Sequence, residues 1–174
     1  MKIKFKRLEE DAIVPKYNHE TDSGIDLFSI TSGTIYPGET KMIETGIAWE
    51  PEIVSVPVRK LEATELIDEI RYWDTAEKNP FKTCLKLEGR SGLGSKGIDV
   101  FGGVVDQDYR GEIKVLLYNS TSEPFFFKRG DRIAQGIIYL IPSVELEEIT
   151  EVNDTDRGAK GFGESGKWQN LKKM

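Results

Sequence analysis

Three short stretches of this 174-residue chain gather groups suited to holding a phosphorylated ligand. The first is Gly89-Arg90-Ser91-Gly92-Leu93-Gly94-Ser95-Lys96-Gly97. Arginine, serine, lysine and exposed N–H groups in one turn supply the donors a polyphosphate needs. The second is Gly102-Gly103-Val104-Val105-Asp106-Gln107-Asp108-Tyr109-Arg110-Gly111-Glu112. Two glycines enter a β-run that ends in a carboxylate turn, and an aromatic follows. On residue type alone Asp106 and Asp108 are turn formers and Tyr109 is an edge of the core. The third is Gly161-Phe162-Gly163-Glu164-Ser165-Gly166-Lys167-Trp168, close to the phosphate loop of nucleotide hydrolases. It fails at Trp168, where a Ser or Thr hydroxyl should hold magnesium, and no strand leads into it. A P-loop hydrolase is therefore set aside, although glycines still let backbone N–H groups approach an anion closely.

The elements that must position these groups are strands. Seventeen glycines and seven prolines punctuate short apolar runs. Strand candidates are Lys2–Phe5, Ile25–Ile30, Met42–Trp49, Ile53–Val58, Ile98–Val100, Ile113–Tyr118, Phe125–Phe127 and Arg132–Ile141. The last is so apolar that burial on both faces is expected. Many short strands spaced by turns, without βαβ alternation, predict an all-β sandwich or barrel. One stretch breaks the pattern: Leu66, Ile67, Ile70 and Trp73 recur at helical spacing within Leu61–Trp73. Residues of about 60–84 thus read as an insertion carrying a helix, either packed on the barrel or serving as a lid or partner surface. From 153 onward the chain is polar and glycine-rich, with Phe162, Trp168 and Leu171 as its large apolar residues before the final methionine. That composition cannot bury enough surface to order itself. The expected organisation is one β-barrel domain over 1–152 and a flexible arm over 153–174.

Composition narrows the function. Apolar residues at 38% and charged residues at 31% suit a globular protein that neither spans a membrane nor stays unfolded. Thirty acidic residues against 24 basic ones argue against stable nucleic-acid binding. One cysteine, Cys84, allows no internal disulfide, and a single histidine, His19, removes His-pair metal sites and a Ser-His-Asp hydrolase. The charged opening MKIKFKRLEED does not read as a signal peptide, so a cytoplasmic location is expected.

Five segments, in order, resemble the five motifs of the trimeric deoxyuridine triphosphatases (dUTPases). They are Thr21–Phe28 (TDSGIDLF), Gly89–Gly97 (GRSGLGSKG), Gly103–Glu112 (GVVDQDYRGE), Gly130–Gln135 (GDRIAQ) and Arg157–Gly166 (RGAKGFGESG). The resemblance implies a jelly-roll subunit, a homotrimer whose sites each draw on three chains, and cleavage of dUTP to dUMP and pyrophosphate with Mg2+ on the triphosphate. It assigns Asp106 to the catalytic carboxylate that orients water on the α-phosphorus. An aspartate is a weak base, so the rate would rest on positioning and charge neutralisation. Tyr109 matches the aromatic that packs on deoxyribose and leaves no room for a 2′-hydroxyl. Gly102 and Gly103 lie on the hairpin whose backbone reads uracil, where cytosine would present the opposite donor and acceptor pattern. Arg90, Ser91 and Gly92 match the phosphate turn. Gln135 matches the amide that reaches phosphate or the attacking water. Asp26 matches a carboxylate that supports the metal and phosphate network through water, without binding the metal directly. Arg157 and Ser165 match phosphate contacts of the closing arm, with Gly163 between them and Phe162 covering uracil.

Lys160 and Glu164 depart from the family pattern, and a carboxylate beside a triphosphate is repulsive unless it points away. A dCTP deaminase shares the fold but needs a different, arginine-rich second motif and a water-activating glutamate. A second rival is a regulator that binds a protein partner through the 60–84 insertion.

Overall fold

The coordinates are a computed structural model of the chain, and the structure describes residues 2–52 and 81–159. They divide into two compact units, Met1–Ser143 and Val144–Met174. All eleven strands found among the described residues lie in the first unit and pair antiparallel.

Strands β2 (Ile25–Phe28), β11 (Arg132–Pro142), β6 (Phe81–Glu88) and β8 (Val104–Asp106) form a sheet in the order β2-β11-β6-β8. Strands β4 (Thr40–Glu44), β9 (Lys114–Asn119) and β7 (Ile98–Phe101) form a second, in the order β4-β9-β7. Two-stranded ribbons pair β1 (Ile3–Arg7) with β5 (Ile47–Pro51) and β3 (Gly33–Ile35) with β10 (Phe125–Phe127). One helical turn, α1 (Ser91–Gly94), follows β6. The predicted all-β class holds, and the fold is a jelly roll.

Alternation along each strand explains why these segments pair as they do. In β9 the residues Val115, Leu117 and Asn119 are buried, while Lys114, Leu116 and Tyr118 face outward. In β6 Thr83, Leu85 and Leu87 are buried, and the two leucines join Leu27, Ile133 and Trp49 in the core cluster. Buried apolar side chains from both sheets and both ribbons thus form one continuous core.

Several expectations change. The predicted strand Met42–Trp49 is two strands, split by the turn at Thr45 and Gly46. The apolar run Arg132–Ile141 is not buried on both faces. Ile133, Ala134 and Gly136 are buried, but Tyr139, Leu140 and Ile141 are 45%, 49% and 42% exposed. The register gives the reason: β2 accompanies β11 only as far as Gly136, and beyond it β6 is the one neighbour of β11 among the described strands. Residues Phe81–Cys84, read as the end of the insertion, begin β6. The remainder of that insertion, with its predicted helix, and the predicted strand Ile53–Val58 lie outside the described residues. Among the described residues no helix is long and apolar enough to cross a membrane.

One buried polar side chain ties the fold together near its second sheet. Asn119 is fully buried; its amide nitrogen donates to the carbonyls of Ile35 at 2.9 Å and Glu123 at 2.8 Å. Its oxygen accepts from the Thr121 N–H at 3.0 Å and hydroxyl at 2.7 Å. Every group of the amide has a partner, so truncation strands several buried polar atoms at once. Asn119→Ala is expected to lower unfolding free energy by about 2–4 kcal/mol, measured by urea denaturation at fixed protein concentration. A change below about 0.5 kcal/mol would show that water replaces the amide without loss.

Candidate active site

Three of the five sequence motifs meet at one corner of the four-stranded sheet. Asp26 on β2 pairs with Gln135 on β11, and Gln135 pairs in turn with Glu88 on β6. These residues share the sheet's outward face, because Leu85 and Leu87 take the inward one. Arg90 leaves the end of β6 and folds back onto Asp26, Nε to Oδ1 at 3.1 Å. Arg132, three residues before Gln135, donates from its guanidinium to Asp26 Oδ2 at 3.2 Å and to Asn18 Oδ1 at 3.4 Å. Asp26 is 9% exposed, so its charge is compensated where it is partly out of water. The amide of Gln135 donates to the Gly89 carbonyl at 2.8 Å. Ser91 and Gly92 open the exposed helical turn behind Arg90, where the first N–H groups have no intrahelical acceptor.

The remaining described motif forms a second assembly. Strand β7 belongs to the three-stranded sheet and β8 to the four-stranded one, so the turn between them at Gly102 and Gly103 crosses from sheet to sheet. Both glycines have left-handed backbone, with φ of 68° and 98°. Gly103 also packs so close to β6 that an added Cβ would meet the Leu87 carbonyl oxygen at 2.9 Å. The Leu87 N–H donates to the Gly103 carbonyl at 2.6 Å, and Lys86 Nζ donates to the Gly102 carbonyl at 3.3 Å. Where the hairpin parts the sheets, a cleft of about 260 Å³ opens, lined among others by Leu87, Gly103, Asp106 and Tyr109. Asp106 is exposed on its wall at the end of β8. Tyr109 is 46% exposed, and its N–H donates to the Asp106 carbonyl at 3.1 Å.

Charged groups brace the cleft's far side. Lys114 lies 3.2 Å from Glu44 and 3.4 Å from Glu112, and the Gly46 N–H donates to Glu112 Oε1 at 2.8 Å. The hydrogen bonds to Glu44 and then Glu112 raise the Lys114 pKa above its ordinary value. Cys84, the register partner of Asp106, is buried; desolvation first, and the Asp106 charge second, push its thiol pKa up. The lone cysteine is thus a packing residue behind the cleft rather than a ready thiolate.

These two assemblies do not converge within one chain. Asp106 pairs with Cys84 and Gln135 with Glu88, four residues further along β6. With about 3.3 Å per residue and about 4.8 Å per strand, Asp106 and Gln135 Cα atoms stand about 16 Å apart. Asp26 is one strand further. Of the fifth motif, Arg157 is exposed beside a turn closed by the Gly158 N–H on the Thr155 carbonyl at 2.9 Å. Phe162, Gly163 and Ser165 lie outside the described residues. Among the described residues no group of three or more His, Cys, Asp or Glu side chains could hold a metal ion. Sequence reasoning missed Arg132, Lys114 and the Glu112 carboxylate. A charge opening an apolar strand marks Arg132, but nothing local signals a lysine whose partner Glu44 lies 70 positions away.

The dUTPase family model matches residues 79–166. The deoxyuridine 5′-triphosphate nucleotidohydrolase of Nautilia profundicola is 39% identical over 96% of this chain and the whole of its own length. That of Trichodesmium erythraeum is 37% identical over 95% of this chain and 99% of its own. Among solved structures, the Staphylococcus bacteriophage 80alpha dUTPase with dUPNHPP matches with a TM-score of 0.69 and 26% identity, over 95% of this chain and 98% of that one. A dUTPase mutant from phage phi11 of S. aureus, which coordinates a structural Mg(II) ion, shares the fold at a TM-score of 0.65 and 20% identity, over 88% of this chain and all of that one. With relatives matched end to end and the family's motifs gathered at the sheet corner and at the hairpin cleft, this chain belongs to the dUTPase family.

Proposed function

We propose that this chain hydrolyses dUTP to dUMP and pyrophosphate by attack of water on the α-phosphorus. One observation carries the reading: an exposed carboxylate, Asp106, stands on the wall of a cleft that it shares with Tyr109 and the left-handed Gly103. In that cleft Gly102 and Gly103 would offer backbone groups to uracil, and Tyr109 a ring face to deoxyribose. Asp106 would orient the water. Arg90, Ser91 and Gly92 would receive phosphate oxygens, with Gln135 beside them, and Arg157, Phe162, Gly163 and Ser165 would close over the nucleotide. A base read by fixed donors and acceptors rejects cytosine, because the wrong pattern strands buried polar groups.

The side chains suit a Mg2+ ion held by the triphosphate rather than by protein ligands. Each oxygen of Asp26 already faces a guanidinium, which leaves that carboxylate to act through water and phosphate. Bound there, Mg2+ would neutralise charge on the triphosphate. The separation of the two assemblies supports a homotrimer, in which the hairpin cleft of one chain faces the Asp26 corner of another. The cytoplasm is the compartment proposed, in keeping with a buried, unpaired Cys84. A protein partner engaging the 60–84 insertion remains part of the proposal.

Asp106→Asn is expected to bind dUTP with near-normal affinity and to turn it over at least about a hundredfold more slowly. Pyrophosphate release measured with dUTP and with dCTP checks both halves of the reading. Wild-type turnover by the variant would remove Asp106 from the mechanism, and deamination of dCTP would point to the sister enzyme.

Truncation before Arg157 is expected to leave assembly intact while lowering turnover by about tenfold or more, because the arm's phosphate and ring contacts are lost. Full activity of the truncated protein would show that the fifth-motif resemblance is accidental.

A further inference from the structure

The placement of Tyr109 depends on its own loop more than on the core. The ring is 46% exposed, and its hydroxyl donates to the backbone carbonyl of Glu112 at 3.1 Å. Between the two residues the ring passes directly over Gly111. A Cβ added to Gly111 would lie 2.6 Å from Tyr109 Cζ and 3.1 Å from Cε2, and would overlap the phenol oxygen. Gly111 is not among the glycines with left-handed backbone. An alanine there would meet no left-handed backbone strain, and the three atoms nearest its Cβ all belong to the tyrosine side chain. The loop is itself anchored at a distance: the Glu112 carboxylate accepts the Gly46 N–H at 2.8 Å and faces Lys114 at 3.4 Å.

We propose that Gly111 is a specificity-determining position, whose missing side chain lets the Tyr109 ring lie on the loop, tied to the Glu112 carbonyl, and stay rigid enough to reject a ribose. The inference rests on the reading of Tyr109 as the sugar filter. An exposed aromatic can swing aside at little cost and admit an added hydroxyl. A ring laid on a glycine and tied at its far end to an anchored carbonyl cannot, so discrimination becomes steric rather than nominal. The absent side chain at 111 is what allows the ring to reach that carbonyl.

The test compares kcat/KM for dUTP, UTP and dCTP in Gly111→Ala, Tyr109→Phe and Tyr109→Ala, each verified to have the wild-type oligomeric state. In Gly111→Ala the preference for dUTP over UTP should fall about tenfold or more, while the preference for dUTP over dCTP stays within about twofold. Tyr109→Phe keeps the ring but loses the tether, and should lower the sugar preference about threefold or more even if Gly111→Ala does not assemble. A wild-type sugar preference in Gly111→Ala, or in Tyr109→Phe where the first variant does not assemble, overturns the inference. Parallel loss of sugar and base preference in Gly111→Ala also overturns it, since that reports collapse of the cleft. An unchanged sugar preference in Tyr109→Ala overturns the sugar-filter reading itself, and the inference with it.

Discussion

The register of β6 is the constraint on which the rest depends. One strand pairs with β8 on one side and β11 on the other, so it fixes at once where Asp106 and Gln135 stand. A slip of one residue would turn Leu85 and Leu87 out of the core and the polar partners into it, which is why the register is strongly held. The same pairing keeps Asp106 and Gln135 about 16 Å apart, with Asp26 one strand further. On the proposed reading, a nucleotide touched by both assemblies bridges two chains.

Each assembly is preorganised by a different device. At the corner, electrostatics does the positioning: two guanidiniums converge on a carboxylate that is mostly withdrawn from water. In the cleft, backbone does it: Gly102 and Gly103 adopt left-handed conformations that other residues rarely take, and Gly103 sits against β6 where a side chain would collide. Donors fixed by the fold need no reorganisation when charge develops on a ligand, which suits phosphoryl chemistry with a weak base. The chain's acidic balance matters less than this local placement of arginine and lysine.

Much of this was legible in the sequence because local chemistry wrote it. The β-branched and aromatic run Ile113–Tyr118, the paired glycines at 102 and 103, and the arginine-serine turn at 90–92 each carry their structural meaning within a few residues. Misreadings arose where the deciding partner was remote. The run Arg132–Ile141 looked doubly buried, but where β2 stops decides its exposure. The role of Arg132 depends on Asp26, 106 positions away, and the anchoring of Glu112 on Gly46, 66 positions away. Helical spacing set residues of about 60–84 apart from the strands, yet Phe81–Cys84 belong to β6, where Phe81 pairs with Pro142.

The central claim is that catalysis needs the Asp106 cleft of one chain and the Arg90 corner of another. The most direct measurement mixes Asp106→Asn with Arg90→Ala, each inactive and trimeric alone, by unfolding and refolding them together in equal amounts. Random assembly should restore about a quarter of the wild-type activity per site, since half the clefts and half the corners are intact and meet independently. Mixed trimers with no more activity than the separate variants would contradict the account.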